Sequence, residues 1–349
     1  MTRAIILGCS APRLTEAEAD FFAEAQPFGF ILFRRNIEDP EQLAGLVSAL
    51  RATVDNPEAP ILIDQEGGRV QRMIPPHWTR YPPGDAYLKA ARDLGEAREA
   101  ARLGARLMAH DLHAMGIDVD CLPVLDVPVP GAHDIIGDRA YAHDPERVAV
   151  LGRAAAEGLM AGGVLPVIKH IPGHGRALSD SHLELPVVNA DRDHLEAWDF
   201  LPFKAMSDMP IAMTAHVVYT ALDPDRPATT SPVVLDMIRE EMGYQGLIVS
   251  DDLSMQALKG DLEHRTKRAL KAGCDVALHC NGDMDEMQAV LAGSKRLKGK
   301  SLRRAEAALA RRVRTPEPLD VVEARARFDR MMAPYLEAKA GPDVGEAQG

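Results

Sequence analysis

Cysteine is scarce in this sequence, and the four that it has, Cys9, Cys121, Cys274 and Cys280, are scattered. They form no CxxC pair and have no histidine cluster beside them. The spacing therefore predicts neither a disulfide framework nor a zinc site. We interpret the four as buried thiols of a protein that works in a reducing cytoplasm.

An excess of positive charge and long apolar runs are also missing. Forty Lys and Arg residues against 52 Asp and Glu residues give a formal net charge of −12, which argues against nucleic acid or an anionic membrane as the main partner. No stretch approaches the roughly 18 apolar residues of a membrane helix. The apolar start, Ala4 to Gly8, is shorter than the roughly 7–15 residues of a signal peptide, and we interpret it as a first strand.

What the sequence has is ordinary globular composition. Of its 349 residues 46% are hydrophobic and 26% are charged, which excludes a disordered chain or a fibre. This length suits either two domains or one large α/β barrel.

Eight short apolar runs alternate with longer amphipathic segments. The runs are Ala4–Leu7, Gly29–Phe33, Ile61–Ile63, Val119–Val127 (broken by Pro123), Val164–Ile168, Ile211–Ala215, Leu247–Val249 and Val276–Leu278. They are apolar throughout, as in parallel strands that are buried on both faces. Eight βα units predict a (β/α)8 TIM-type barrel in a single domain. A doubly wound sheet is the alternative, although no GxGxxG follows the first run.

The segments between the runs carry helix signals. Thr15 and Glu18 have the spacing of a capping box, and His194 to Met206 is predicted to be helical. After the last run the character changes to Arg- and Ala-rich helical sequence. We therefore predict a catalytic barrel over residues 1–300, a C-terminal helical extension over 301–340 and a frayed tail over 341–349.

Polar residues follow several of the apolar runs. The clusters are Asp64 to Arg69, Asp126, Lys169-His170, His216 and Ser250 to Asp252. Chemistry in a barrel of this kind takes place at the C-terminal ends of the strands. Several polar groups at the same end therefore predict one active site.

Two candidates for the chemistry follow from local spacing. Asp180 and His182 are two residues apart, so in extended backbone their side chains point to the same side, and the carboxylate would orient the imidazole. His182 is therefore a candidate general acid. Asp252 and Ser254 are candidate N-caps of the next helix, which leaves Asp251 as the catalytic candidate there.

Other polar residues in these clusters have structural interpretations. We expect His174 to brace its loop, and Asp126 is either a site residue or a structural residue held by a neighbouring Arg or by backbone. Glu66, beside two glycines, is interpreted as an ion-pair partner of Arg69 or Arg72. His216 has two interpretations, a residue that supports the site from behind or a direct contact of the ligand.

Four segments together resemble the single-domain β-N-acetylglucosaminidases of glycoside hydrolase family 3. Lys169 to Gly175, followed by Asp180 to His182, looks like the signature loop of that family. Asp64 to Val70 resembles its segment after strand three, Ile136 to Arg139 its IGxR segment, and Ser250 to Met255 its nucleophile segment. Any one match is weak, but the four occur in order across most of the barrel.

The resemblance implies a retaining exo-glycosidase with defined residue roles. Asp251 would be the nucleophile that forms a glycosyl-enzyme, and His182 paired with Asp180 would be the acid/base, in place of the usual second carboxylate. The remaining predicted side chains would bind sugar hydroxyls or lie near the pocket. These are Asp64, Arg139, Lys169 and His170, with Arg72 and His216 near the pocket.

The resemblance also implies the biological setting. Bacterial members of this size are cytoplasmic and act in cell-wall recycling on N-acetylglucosaminyl-1,6-anhydro-N-acetylmuramic acid and its peptides. The expected partner is thus a small carbohydrate or muropeptide, with no nucleic acid or membrane involved, and the chemistry requires no metal or organic cofactor. Ala140-Tyr141 stands where the family often has Ser-Phe, which concerns fine specificity only.

Two rival functions use the same kind of barrel. A metal-dependent amidohydrolase also gathers His, Lys and Asp at strand ends, but it would want a His-x-His pair after the first strand, where Cys9-Ser10 stands. A non-catalytic sugar-binding barrel would keep Asp64, Arg139 and Lys169 without needing Asp251 and His182 together.

Overall fold

The computed structural model describes residues 1–181 and 184–340 and contains a closed barrel of eight parallel strands. The strands are β1 (Arg3–Leu7), β2 (Pro27–Leu32), β3 (Ile61–Ile63), β4 (Val119–Asp120), β5 (Leu165–Ile171), β6 (Ile211–Thr214), β7 (Leu247–Asp252) and β8 (Val276–His279). Each strand pairs with its neighbours in sequence, and β8 pairs with β1 to close the ring. The (β/α)8 prediction is confirmed, and the doubly wound sheet is excluded.

Helices surround the barrel and continue past it. They are α1 (Glu16–Ala25), α2 (Pro40–Ala52), α3 (Ala86–Ala90), α4 (Leu94–Ala114), α5 (Pro145–Ala161), α6 (Arg192–His194), α7 (Leu201–Ala205), α8 (Pro232–Glu240), α9 (Leu262–Ala272), α10 (Met284–Gly293), α11 (Gly299–Leu309) and α12 (Val321–Ala340). Within the described ranges no helix is long and apolar enough to cross a membrane.

Side-chain caps fix where many of these helices begin. Thr15 forms the predicted capping box with Glu18 at the start of α1. An Asp or Ser side chain accepts the equivalent backbone N–H at the start of eight further helices. Each such bond satisfies an N–H that would otherwise lack a partner at the helix terminus. The helix starts are therefore encoded locally.

Proline interrupts two of the predicted elements. The fourth strand has the break at Pro123 that the sequence indicates and ends at Asp120, and Val124 bridges to β5 again. The predicted helix His194 to Met206 is divided into α6, a π-helical turn over Leu195–Asp199 and α7. Pro202, which has no N–H to donate, lies in the first turn of α7 and accounts for this break.

The extended β5 matters for the site. It runs to Ile171, three residues further than the apolar run indicates, so Lys169 and His170 belong to the barrel wall rather than to a loop. In register Lys169 pairs with Met213 of β6, and Met213 pairs with Val249 of β7. The polar ends of β5 and β7 are therefore brought to the same rim of the barrel.

The C-terminal helices pack against the barrel unit. Asp275, at the start of β8, is buried and accepts hydrogen bonds from Ser301 (2.8 Å) and Arg304 (3.1 Å) of α11. α12 lies on α3 and α4, where the ring of Phe328 is 6.2 Å from Tyr81 and 6.4 Å from Tyr87. Phe328 and both tyrosines are buried, so α12 covers an apolar layer of the protein. The predicted tail over 341–349 lies outside the described residues.

Candidate active site

A cavity of about 360 Å³ opens at the C-terminal ends of the barrel strands. Its volume is in the range of small-molecule sites. Six of the predicted site residues line it together: Asp64, Arg72, Arg139, Lys169, His170 and Asp251. The expectation that polar strand ends converge at one rim thus agrees with the geometry.

A network of ion pairs with alternating charges forms one wall of this cavity. The buried Lys169 ammonium lies 2.8 Å from Oδ1 of Asp64 and 2.6 Å from Oε1 of Glu66. Arg72 binds the other oxygen of Asp64 at 3.1 Å, and Arg139 binds both oxygens of Glu66 at 2.8 Å. Two carboxylates are therefore held among three cations, a fixed polar surface suited to sugar hydroxyls.

The pKa values of Asp64, Glu66 and Lys169 keep these three groups of the network charged near neutral pH. Burial alone would raise the pKa of Glu66, but the Arg139 guanidinium and the Lys169 ammonium lower it to about 2. In the same way Lys169 and Arg72 hold the pKa of Asp64 below its ordinary value against the effect of burial. Burial would lower the pKa of Lys169, but Asp64 and Glu66 raise it.

Glu66 has different partners from those that the sequence predicted. We expected it to pair with Arg69 or Arg72, but it pairs with Arg139 and Lys169, whereas Arg69 contacts Asp138 at 3.2 Å. The tertiary fold brings Arg139 to this position from a separate turn over Gly137–Arg139. The sequence did contain a signal that Glu66 lies in the site beside Asp64. The two residues are two positions apart, and in extended backbone such side chains point to the same face.

Two glycines after Glu66 set the direction of its turn. Gly67 has a φ of +94°, and a side chain there would meet the carbonyl oxygen of Pro82 at 2.2 Å. The N–H of Gly68 donates to the carbonyl of Tyr81 at 2.9 Å. Only glycine tolerates this conformation and this close approach, so the glycine pair fixes the Glu66 turn against the Tyr81 segment.

Glu66→Gln is expected to lower the free energy of unfolding at pH 7 by about 3 kcal/mol, because it removes one charged member of the buried ion-pair network. The depressed pKa of Glu66 stabilises the fold above the ordinary pKa of 4.5, and this stabilisation is lost as pH falls towards about 2. The free energy of unfolding, measured with urea at several pH values between 7 and 3, should therefore fall less steeply with pH in the variant than in the wild type.

A matched control is Glu196→Gln, which removes a more exposed carboxylate that pairs with Arg192 and Lys204. Pairs of this kind contribute little, so its unfolding curve should follow that of the wild type at each pH. If Glu66→Gln had the same pH dependence as the wild type, the assigned pKa of Glu66 would be wrong.

Asp126 organises the base of the signature loop. It is fully buried, and its carboxylate accepts from Nδ1 of His170 at 2.7 Å and from the backbone N–H of His174 at 2.6 Å. Burial would raise its pKa, but the His170 imidazole and the hydrogen bonds lower it to about 2. An ionised Asp126 requires a proton on Nδ1 of His170, which orients that ring in the cavity wall.

His174 connects two ends of the same loop. Its Nε2 lies 3.2 Å from the hydroxyl of Ser181, and burial lowers its pKa to about 4, so the ring is neutral near pH 7. This geometry agrees with the expectation that His174 braces the loop. Ser181 lines the cavity, whereas Asp180, which is half-buried, is not among the lining residues. His182 lies outside the described residues.

Asp251 is the second-last residue of β7 and lines the cavity. Its Oδ1 accepts the backbone N–H of Asp252 at 2.8 Å. Burial would raise the pKa of Asp251, but the imidazoles of His216 and His170 lower it below its ordinary value. The carboxylate is therefore ionised near neutral pH, the form that a nucleophile requires.

Asp252 has a different structural role from the one expected. The prediction that it or Ser254 caps the next helix is wrong, because α9 begins later and Asp261 caps it. Instead, the carboxylate of Asp252 accepts from the N–H and the hydroxyl of Ser254 and from the N–H of Cys280 at 3.2 Å. It joins the loop after β7 to the end of β8.

His216 lies behind the cavity wall rather than on its surface. It is fully buried, and both ring nitrogens have protein partners, the carbonyl oxygen of Asp252 at 2.9 Å and the hydroxyl of Thr229 at 2.7 Å. The sequence placed it near the pocket but missed Thr229, which lies in a separate turn. A role in substrate binding stays a prediction, and the geometry favours a supporting position.

Comparison with known proteins gives one consistent result. Residues 6–315 match the Glycosyl hydrolase family 3 N terminal domain. A Beta-hexosaminidase from Methylococcus capsulatus is 44% identical over 275 residues, which are 77% of this chain and 80% of the relative. A Beta-hexosaminidase from Chromobacterium violaceum is 40% identical over 354 residues, covering 96% of this chain and 95% of the relative.

Solved structures agree with these relatives. The crystal structure of NagZ from Neisseria gonorrhoeae in complex with N-trifluoroacetyl-D-glucosamine superimposes with a TM-score of 0.81 at 35% identity. The match covers 95% of this chain and 96% of that one. The similarity thus extends over the barrel and the helices that follow it.

Proposed function

The chain belongs to glycosyl hydrolase family 3 and is a glycoside hydrolase, and from that premise we propose that it is a retaining exo-β-N-acetylglucosaminidase. It removes terminal β-linked N-acetylglucosamine from the non-reducing end of its substrate. Relatives named Beta-hexosaminidase and a similar structure that holds an N-acylated glucosamine analogue support this substrate class.

One observation carries the proposal. An ionised carboxylate, Asp251, faces the same cavity as the ion-pair network around Lys169. This network offers fixed hydrogen-bond donors and acceptors for the hydroxyl groups of a sugar. Burying a hydroxyl without such a partner would cost about 1–3 kcal/mol. Binding groups and an anionic nucleophile at one rim are what hydrolysis of a sugar with a covalent intermediate needs.

The proposed mechanism has two displacements. In the first, Asp251 attacks the anomeric carbon as the bond to the leaving group breaks, and His182 protonates the departing oxygen. In the second, His182 removes a proton from water, which attacks the anomeric carbon and releases Asp251. Asp180 orients His182 in both steps. Each displacement inverts the anomeric centre, so the product retains the β configuration.

The proposed natural substrate is N-acetylglucosaminyl-1,6-anhydro-N-acetylmuramic acid and its peptides, in cytoplasmic peptidoglycan recycling. These compounds carry carboxylates, which the net charge of −12 would repel. Arg35 and Arg69, both exposed, line the same cavity and supply local positive charge. Four free, buried cysteines agree with a reducing compartment.

The substrate proposal is tested by comparing 4-nitrophenyl N-acetyl-β-glucosaminide with the matching β-glucoside. We expect turnover of the N-acetyl substrate and little or none of the glucoside, with the β-anomer of N-acetylglucosamine appearing first in NMR spectra. Initial release of the α-anomer would contradict the retaining mechanism. Binding without turnover would favour a sugar-binding barrel instead.

A further inference from the structure

Three fully buried side chains lie directly behind the proposed nucleophile: Thr214 at the end of β6, His216 just after it, and Thr229. The backbone N–H of Asp251 is 3.4 Å from Oγ1 of Thr214, which is 2.7 Å from Oγ1 of Thr229. Thr229 is 2.7 Å from Nδ1 of His216, whose Nε2 is 2.9 Å from the carbonyl oxygen of Asp252. The contacts form a ring that begins and ends on the Asp251–Asp252 backbone.

The direction of each hydrogen bond follows from the chemistry of the groups. The carbonyl oxygen of Asp252 can only accept, so Nε2 of His216 must carry a proton. Burial lowers the pKa of His216, so its imidazole is neutral near pH 7. A neutral imidazole with its one proton on Nε2 has an acceptor at Nδ1. The Thr229 hydroxyl therefore donates to Nδ1, which is closer than its other acceptor, the carbonyl of Ala215 at 3.1 Å.

The remaining assignments are then fixed. Because the one proton of Thr229 goes to His216, its oxygen accepts from the hydroxyl of Thr214. The Thr214 oxygen in turn accepts the N–H of Asp251. Every hydroxyl in the ring donates once and accepts once, and the two ends hold a donor of Asp251 and an acceptor of Asp252.

We infer that Thr214, Thr229 and His216 are positioning residues that hold the Asp251–Asp252 backbone and so direct the Asp251 carboxylate at the anomeric carbon. This inference rests on the proposed nucleophilic role of Asp251. None of the three is among the residues that line the cavity, so they act through Asp251 rather than on the sugar. A nucleophile must be held close to its attack geometry, and displacements of about 1 Å can cost about 10²-fold in rate.

The test is a matched pair of substitutions at Thr229. Thr229→Val keeps the size of the side chain and removes the hydroxyl, which breaks the ring at its middle. We expect kcat for 4-nitrophenyl N-acetyl-β-glucosaminide to fall about tenfold or more, while KM changes less than about threefold. Thr229→Ser restores the hydroxyl and should recover most of kcat. Rescue by Ser separates hydrogen bonding from packing.

Thr266→Val provides the control for losing a buried threonine hydroxyl. Thr266 is fully buried on α9, away from the cavity lining, and donates to the carbonyl of Leu262 at 2.7 Å. Its kcat should equal that of the wild type. If Thr229→Val does not fold, as judged by circular dichroism, Thr214→Val breaks the same ring at the next bond and should give the same loss of kcat.

The outcomes separate this inference from the proposed function. Unchanged kcat in folded Thr229→Val, or an equal loss in Thr229→Val and Thr229→Ser, would overturn the positioning role. Asp251→Asn, assayed in parallel, tests the nucleophile itself. Activity retained in Asp251→Asn would overturn the proposed function, whereas its loss beside a fully active Thr229→Val would overturn only the ring.

Discussion

Asp251→Ala is expected to abolish turnover of every β-N-acetylglucosaminide, including aryl glycosides with activated leaving groups. Without the carboxylate no glycosyl-enzyme forms, and the positive charge that develops on the sugar ring loses its counter-charge. We expect kcat/KM to fall by on the order of 10⁴-fold or more. The residual activity of Asp251→Ala is measured as release of 4-nitrophenol at high enzyme concentration.

Rescue with azide distinguishes a lost nucleophile from a disturbed fold. In Asp251→Ala a small anion can enter the space of the carboxylate and attack the anomeric carbon directly. The product would be the α-glycosyl azide, since a single displacement inverts the centre. Substantial activity of Asp251→Ala without azide would show that another group is the nucleophile.

His182→Ala is expected to have an effect that depends on the leaving group. General acid catalysis contributes about 10²–10⁴-fold, and it matters when the departing oxygen is strongly basic, as in a disaccharide. We therefore expect kcat/KM to fall about 10³-fold for disaccharide substrates and less than about tenfold for a 2,4-dinitrophenyl glycoside.

Asp180→Asn gives the companion measurement. It removes the charge that would orient His182 while leaving the imidazole in place, so it should show the same dependence on the leaving group with a smaller amplitude. The prediction for His182 rests on its sequence position beside Asp180 and Ser181. An equal loss on both kinds of substrate in His182→Ala would contradict the acid/base role.

The fold could be predicted because its determinants are local. Each of the eight apolar runs became a barrel strand, and side chains such as Thr15 fixed helix starts within one turn. One error has a local cause too. Pro202 divided a predicted helix, because proline cannot donate a backbone hydrogen bond.

The site was predictable only to the level of which residues converge. Strand ends placed Asp64, Lys169 and Asp251 at one rim, but no pattern in the sequence indicated that Glu66 pairs with Arg139 or that Thr229 meets His216. Those contacts join separate segments of the chain, and periodicity carries no information about such pairings. The roles of the individual site residues stay predictions for the experiments above.

The packing of α12 has a consequence for shortening or fusing this chain. The helix follows residues 6–315, which match the family, yet its Phe328 packs beside Tyr81. The carbonyl of Tyr81 in turn accepts from Gly68, two residues after Glu66. A chain ended at residue 315 would expose to water the aromatic layer on which the Glu66 turn rests. The unit that folds therefore extends one helix past the unit that the family defines.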